Sequence, residues 1–341
     1  MTLRIGIVGA GANTRSRHIP GFQALDGVEV TAVCNRSRAS GQKVADEFGL
    51  AQVFERWEDL VASDQVDAVC VGTWPYLHCA VSVAALEAGK HILTEARMAM
   101  DLAEARQMLA AAQTTDRVAM IVPAPFYLET EPRLLQMVRD GAFGEFLEIR
   151  VTGLSGAYEP EAPIHWRQRK DLSGNNIMAL GILNETARRY AGHERSVMAY
   201  GRVFTPERGD GETGQKRASD VPESLGAVAA LESGATAVYH LSSVAAHGPG
   251  TSIEMYGTRG AFRLAGGRAE VAAVGADGWS VLEVPESEQG GWRVEADFVD
   301  AIREGAPVTR TSFEDGVRYM EFTEAVNISL AEGRQVELPL P

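Results

Sequence analysis

Along the first 122 residues, short dense apolar runs alternate with longer stretches whose apolar positions recur at helical spacing. Arg4 to Val8 leads into a helix reaching about Leu25, and Val28 to Cys34 into "ASGQKVADEFG". Ala68 to Gly72 leads into "HCAVSVAALEAG", His91 to Leu93 into "MDLAEARQMLAAAQ", and "RVAMIV" (117–122) closes the series. Strands separated by helices of this length cross over and lie parallel. Runs such as "RIGIV" and "DAVCVG", apolar at nearly every position, suit strands covered on both faces. From residue 123 the pattern changes to the alternation of half-exposed strands, in "EFLEIRVTG", "SVMAYGRVF", "LGAVAALE", "ATAVYHLSSVAA", "TSIEMYGT" and "GAFRLAG". Helical patterns flank them at "ETEPRLLQMVRDGA", "NIMALGILNETARRYAG", "WRVEADFVDAIREG" and "SFEDGVRYMEFTEAVNISLAEG". The expected fold class is α/β: a doubly wound parallel sheet over residues 1–122, then an α+β domain over 123–341 built on a large, open, mostly antiparallel sheet. The polar stretch "TPERGDGETGQKRASDVPE" (205–223) has no periodicity and reads as a mobile loop.

Charge and cysteine content narrow the partners. A net charge of −14 with scattered basic residues disfavours nucleic acid and anionic membrane surfaces, both of which need a basic face. Cys34, Cys70 and Cys79 are odd in number and lie in or beside apolar runs, without C-x-x-C pairing. Neither a disulfide framework nor a metal site is expected, and a reducing cytoplasm fits. The opening apolar run is too short to span a membrane and flows into a glycine turn.

That turn, "IVGAGANTR", places Gly9 and Gly11 between a first strand and a first helix. There one glycine allows the bend, and the next lets backbone amides, through Ala12 and Asn13, approach a pyrophosphate. It is the opening of a Rossmann dinucleotide fingerprint, with Thr14 in place of its third glycine. After the second strand comes "CNRSR". Asn35 is neutral where a carboxylate usually meets a free ribose hydroxyl, and Arg36, Ser37 and Arg38 offer a cradle for a 2′-phosphate. NADP is expected as the cofactor, with NAD possible if the arginines are merely solvated. Thr73, Trp74 and Pro75 in "GTWPYLH" are expected to border the cofactor. His78, which starts the next helix, suits helix-start packing as well as cofactor contact.

The chain resembles the Gfo/Idh/MocA family from end to end, through "GIVGAG", "GTWPYLHCAVSVAALEAGKHILTEA", the helix after "DLSGNN" and the ending "TSFEDGVRYMEFTEAVNISLAEGRQVELP". The resemblance implies nicotinamide-dependent chemistry on sugars, cyclitols and related small compounds, and homo-oligomers assembled through the open C-terminal sheet. It also implies a lysine proton relay where this chain has Glu95-Ala96-Arg97, and an Asp, His, Asp set where it has Ala179, Leu183 and Thr186. The usual proton-transferring groups are absent. General acid–base help contributes roughly 10²- to 10⁴-fold in rate, so a working enzyme must replace them.

Several residues are candidates. His165, in "PIHWRQRKDLSGNN", has an unperturbed pKa suited to proton exchange, and Trp166, Arg167 and Asn176 beside it are expected to contact substrate. Arg97 stays charged and suits an oxyanion or a carboxylate rather than a proton shuttle. Glu95, also expected at the cofactor, Tyr127 and Glu185 complete the catalytic candidates; core or rim packing is the alternative for the Tyr127 ring, and pairing with Glu95 or Asp101 at a helix start is the alternative for Arg97. Three function classes remain: an NADP-dependent oxidoreductase acting on a small hydroxylated or carbonyl compound with a rearranged acid–base set; a nucleotide-retaining enzyme of elimination, epimerisation or glycoside cleavage; and a nucleotide-sensing protein without turnover.

Overall fold

The computed structural model of the protein describes residues 2–308 and 310–341. It divides into two compact units, 1–123 with 293–320 and 124–292 with 321–341. The first contains strands β1 (Leu3–Val8), β2 (Val28–Cys34), β3 (Gln52–Phe54), β4 (Ala68–Val71), β5 (His91–Thr94) and β6 (Ala119–Ile121), all parallel, in the order β3-β2-β1-β4-β5-β6. Helices α1 (Ile19–Gln23), α2 (Arg38–Phe48), α3 (Trp57–Ala62), α4 (His78–Glu87) and α5 (Leu102–Gln113) form the crossovers. Ile5, Ile7, Ala68, Val69, Cys70, Val71, Ile92 and Leu93 are buried, which is why these strands read as continuous apolar runs. The half-buried strand β3 has no such run and was not anticipated.

Two features of this unit differ from expectation. The first helix is broken into a π-helical turn over Thr14–His18 followed by α1. More consequentially, residues 293–320, expected in the second domain, cluster with the first. The reason is the apolar face of α9 (Val294–Glu304): Val294, Phe298 and Val299 are buried, and Phe298 meets Phe22 of α1 edge-on at 6.3 Å. Arg303 donates to the carbonyls of Asp26 and Gly27, and Ile121 of β6 donates to the carbonyl of Thr311.

The second unit is built on β7 (Phe146–Leu154), β8 (Glu194–Arg202), the short pair β9 (Glu207–Gly209) and β10 (Lys216–Ala218), β11 (Ser224–Leu231), β12 (Thr236–Ser242), β13 (Gly250–Gly257), β14 (Gly260–Ala265), β15 (Arg268–Ala273), β16 (Ser280–Val281) and β17 (Val336–Glu337). Nine of these form one sheet in the order β16-β15-β14-β13-β7-β12-β11-β8-β17, antiparallel except where β7 meets β12. One face packs on α6 (Glu131–Arg139), α8 (Leu180–Ala191) and the later part of α10 (Phe313–Glu332), around Ile149, Val151, Leu183, Tyr239, Met255 and Phe322. A short helix, α7 (Lys170–Ser173), precedes α8.

The stretch 205–223, expected as a mobile loop, is a β9–β10 ribbon. A buried ion pair, Arg208 to Glu223 at 2.6 Å, anchors it, and Glu223 also accepts from the amides of Phe204 and Thr205. Glycine-rich polar composition hides this device, because a buried pair 15 residues apart leaves no periodic signal.

Candidate nucleotide site and the residues around it

At the end of β1 the chain turns at Gly9 with φ +85°, a conformation open to glycine. A side chain at Gly9 would also meet Thr73. Thr14 replaces the third fingerprint glycine without loss of close packing, because Gly72 at the end of β4 supplies the missing space. A Cβ there would lie 2.0 Å from Thr14 Oγ1 and 2.3 Å from the carbonyl oxygen of Gly9. The Thr14 hydroxyl donates to that same carbonyl. Gly11 faces open space apart from the Gly72 carbonyl at 3.5 Å. No acidic residue lies in the following helical turn, which carries Arg15 and Arg17. The exposed Gly11 and Ala12, the open space at Gly11 and the absence of an acidic residue in the turn fit a diphosphate.

Asn35 Oδ1 accepts from the Ala10 amide at 2.7 Å, so the end of β2 holds the glycine turn in place. Its neighbours are exposed but partly engaged. Ser37 caps α2 by accepting from the Ser40 amide, and Arg38 pairs with Glu55 at 3.0 Å. Ser37 therefore serves the helix start first, which the sequence expectation of a phosphate cradle had not included.

Past β4, Trp74 and Tyr76 are exposed with ring centroids 6.5 Å apart, and Pro75 is buried. His78, expected to border the cofactor, is fully buried instead. Its Nδ1 lies 2.9 Å from the Arg97 carbonyl and its Nε2 3.0 Å from the Thr73 carbonyl. Set between these two carbonyls, it braces two loops, and burial pulls its pKa down against the opposing pull of the carbonyls.

The most elaborate chemistry lies at the end of β5. Glu95 accepts from the Asn13 side-chain amide and from His18 Nε2, the latter at 3.0 Å. On the far side of the ring, His18 Nδ1 lies 2.5 Å from Glu295 of α9. His18 is fully buried and has a carboxylate oxygen at each nitrogen, an arrangement satisfied by imidazolium. Burial pulls its pKa down, but the hydrogen bonds to Glu295 and Glu95 outweigh that and hold it at about 9. Burial likewise works to raise the Glu95 pKa, and the His18 and Asn13 hydrogen bonds with the His18 charge bring the net shift below its ordinary value. Neither His18 nor Glu295 was legible in advance. The only sequence trace is a histidine in an otherwise basic turn, and its partner lies 277 residues away.

Arg97 is buried, two residues beyond Glu95, with the loop fixed by His78 and by the Tyr319 hydroxyl, which accepts from the Met98 amide. Asp101, a conceivable partner, caps α5 by accepting from Glu104.

In the second unit, the expected catalytic and substrate residues divide. His165 is exposed, and its Nδ1 accepts from the Arg167 amide as the cap of a short 3₁₀ turn. That leaves a neutral ring presenting Nε2–H, with burial of its inner edge and then Arg167 pulling its pKa down. It suits a hydrogen-bond donor better than a proton carrier. Arg167 stacks on Trp166 with 4.2 Å between guanidinium and ring centre. The β9–β10 ribbon fixes this segment: Ile164 donates to Gly209, and Asp220 both donates to the Gln168 carbonyl and accepts from the Lys170 amide.

Glu185 is not available as a base. It is buried and paired with Arg189, which also binds Glu131, so both carboxylates are committed to one guanidinium. Tyr127, a catalytic candidate from sequence, has its hydroxyl at the Gly267 amide of the β14–β15 turn, and burial pushes its pKa up. Asn176 is buried just before α8, donating to the Ser173 carbonyl at 2.6 Å. Leu183 and Thr186 are buried, and the Thr186 hydroxyl donates back to Ile182, so no proton-transferring group stands at these positions.

A parallel sheet in this strand order, with a glycine turn at its first crossover, defines a dinucleotide-binding protein of the doubly wound class. The model of an oxidoreductase family with an NAD-binding Rossmann fold matches residues 3–122, and that of the GFO/IDH/MocA C-terminal domain matches 133–263. The chain belongs to the Gfo/Idh/MocA oxidoreductase family. An uncharacterised oxidoreductase of Synechocystis sp. is 26% identical over 77% of this chain and 71% of its own length. The dTDP-3,4-didehydro-2,6-dideoxy-alpha-D-glucose 3-reductase of Streptomyces violaceoruber is 32% identical over 53% of this chain and 52% of its own. The chain thus spans about half the length of that second relative. A solved structure of levoglucosan dehydrogenase in complex with NADH and levoglucosan shares the fold, with TM-score 0.88 at 24% identity over 100% of both chains.

Proposed function

We propose that the protein is an NADP-preferring oxidoreductase acting on a small hydroxylated or carbonyl compound of the sugar, cyclitol or related acid class. The observation that carries this reading is the neutral end of β2. Asn35 spends its oxygen on the Ala10 amide, and Arg36 and Arg38 are exposed where a carboxylate would repel a 2′-phosphate. The Arg38–Glu55 pair is exposed on both sides and therefore weak, so a phosphate dianion can compete for Arg38.

When bound, the nicotinamide cofactor supplies or accepts hydride. The Gly9–Thr14 turn, Asn35, Arg36 and the Thr73–Pro75 loop would hold it. In this reading His165 Nε2–H, with Trp166 and Arg167, binds and orients substrate, and Arg97 steadies negative charge. The sugar class is supported by the named substrates of the relatives and by exposed aromatic rings at Trp74 and Tyr76. Three buried free thiols suit a reducing cytoplasm, and among the described residues no helix is long and apolar enough to cross a membrane.

A second copy of the chain is the proposed partner, seated on the outward face of the large sheet. There Met198, Val228 and Val238 stand in register on β8, β11 and β12, all exposed, beside Tyr200. The test of the main reading is binding of NADPH and NADH followed by a panel of sugars, cyclitols, aldehydes and α-keto acids at the nicotinamide absorbance. Arg36→Ala should weaken NADPH by about tenfold or more and NADH little, as loss of a charge-assisted contact predicts. Equal weakening removes the NADP preference.

A further inference from the structure

In a doubly wound sheet a dinucleotide crosses the crevice where strand order reverses, here between β1 and β4, so one half lies over β2 and the other toward β4 and β5. Glu95 ends β5 on that second side. Its carboxylate is 17% exposed, while the imidazole behind it is 0% and the Glu295 carboxylate 6%. The three groups form a continuous hydrogen-bonded line from the crevice inward. The interior has been shaped around its inner end: a Cβ on Gly21 would lie 2.8 Å from the Glu295 carboxyl carbon.

We propose that Glu95, His18 and Glu295 form a proton relay that takes the place of the ammonium group missing at Ala96. Glu95 is the catalytic group, and His18 with Glu295 is the positioning pair behind it. The inference rests on the oxidoreductase reading above. In the reductive direction a substrate carbonyl carbon gains hydride, supplied by a reduced nicotinamide nucleotide, and the carbonyl π pair moves to oxygen. The Glu95 carboxylate takes the proton from His18 Nε2 and gives it to that oxygen: the Nε2–H bond breaks, a carboxyl O–H bond forms and breaks in turn, and the alcohol O–H bond forms. Glu95 ends as the carboxylate it began as, and His18 is left neutral until water at the crevice returns a proton by the same path. In the oxidative direction each transfer reverses. The logic is that of a base oriented by a third group: Glu295 fixes the ring and sustains its charge, and Asn13 fixes Glu95.

Charged and polar groups face the line from several elements. Glu95 and Asn13 meet Nε2 and Glu295 meets Nδ1. Cys70 of β4 lies in the field of both carboxylates and is kept a neutral thiol by burial. His78 of α4 is electrostatically coupled to Glu95, and burial lowers its pKa.

The experiment combines imidazole titration by NMR, with isotope-labelled histidine in the full-length protein, and the pH profile of NADPH-dependent carbonyl reduction. His18 should remain imidazolium through pH 8. Turnover should fall about tenfold per pH unit above the His18 midpoint, as expected for one essential proton. Glu295→Gln should move both midpoints down together by about one pH unit or more, with NADPH affinity held within twofold. A His18 ring that is neutral at pH 7 in the wild-type protein overturns the relay without any variant. So does a Glu295→Gln protein whose His18 midpoint moves while its rate profile stays, and in both cases the oxidoreductase reading stands. A wild-type protein that binds NADPH yet reduces nothing on the panel overturns both.

Discussion

His165 and His18 show how far residue type falls short of residue role. Both are histidines in basic surroundings, yet one caps a turn at the surface and is kept neutral, and the other lies between two carboxylates and is kept charged. Environment decides which form each ring holds. His165→Gln should therefore leave kcat and nucleotide affinity nearly unchanged and raise KM for substrate by no more than about tenfold, since glutamine still offers an N–H. A fall in kcat at constant KM, measured by steady-state kinetics, returns the proton-carrying role to His165. "HILTEARMAM" points to its own gap, because Ala96 has no titratable group. In the proposed relay Glu95 belongs to that segment, but the pair behind it, His18 and Glu295, lies on the first helical turn and on α9.

Among the elements, the first crossover is the most constrained. Gly72 and Thr14 share one small space, and a methyl group at position 72 has nowhere to go between a hydroxyl and a backbone carbonyl. Gly72→Ala should lower stability by about 1–3 kcal/mol, the usual cost of overpacking, in a denaturant titration. It should also weaken NADPH by tenfold or more as the glycine turn shifts. An alanine protein with wild-type affinity would show that the turn adapts. The glycine positions and the strand-to-helix transition here were readable because they are local. The ribbon over 205–223 was not, since its order depends on Arg208 and Glu223 meeting in the interior.

For the whole molecule, buried charge links folding to pH. The His18 pKa is about 9 in the folded chain against 6.5 for the free side chain. Its contribution to stability is therefore fully present below about pH 6.5 and is lost as pH rises through about 9. The shift corresponds to about 3 kcal/mol, so urea midpoints should fall between pH 6 and pH 10, and less so in Glu295→Gln. The outward sheet face gives a separate test: Val228→Asp places a charge amid Met198 and Val238, and sedimentation should show the proposed oligomer dissociating. A wild-type protein that sediments as a monomer removes that partner.

Apolar spacing and glycine placement determined by themselves that a parallel, doubly wound sheet opens the chain and that an alternating sheet follows. Those patterns act over a few residues, and burial of one face enforces them. Tertiary structure alone decided that α9 returns to the first unit and that Glu295 meets His18. It also decided that Glu185 and Tyr127 are occupied elsewhere. Partners separated by tens to hundreds of residues leave no period in a sequence. Their pairing is fixed by the cost of burying a charge or polar group without one.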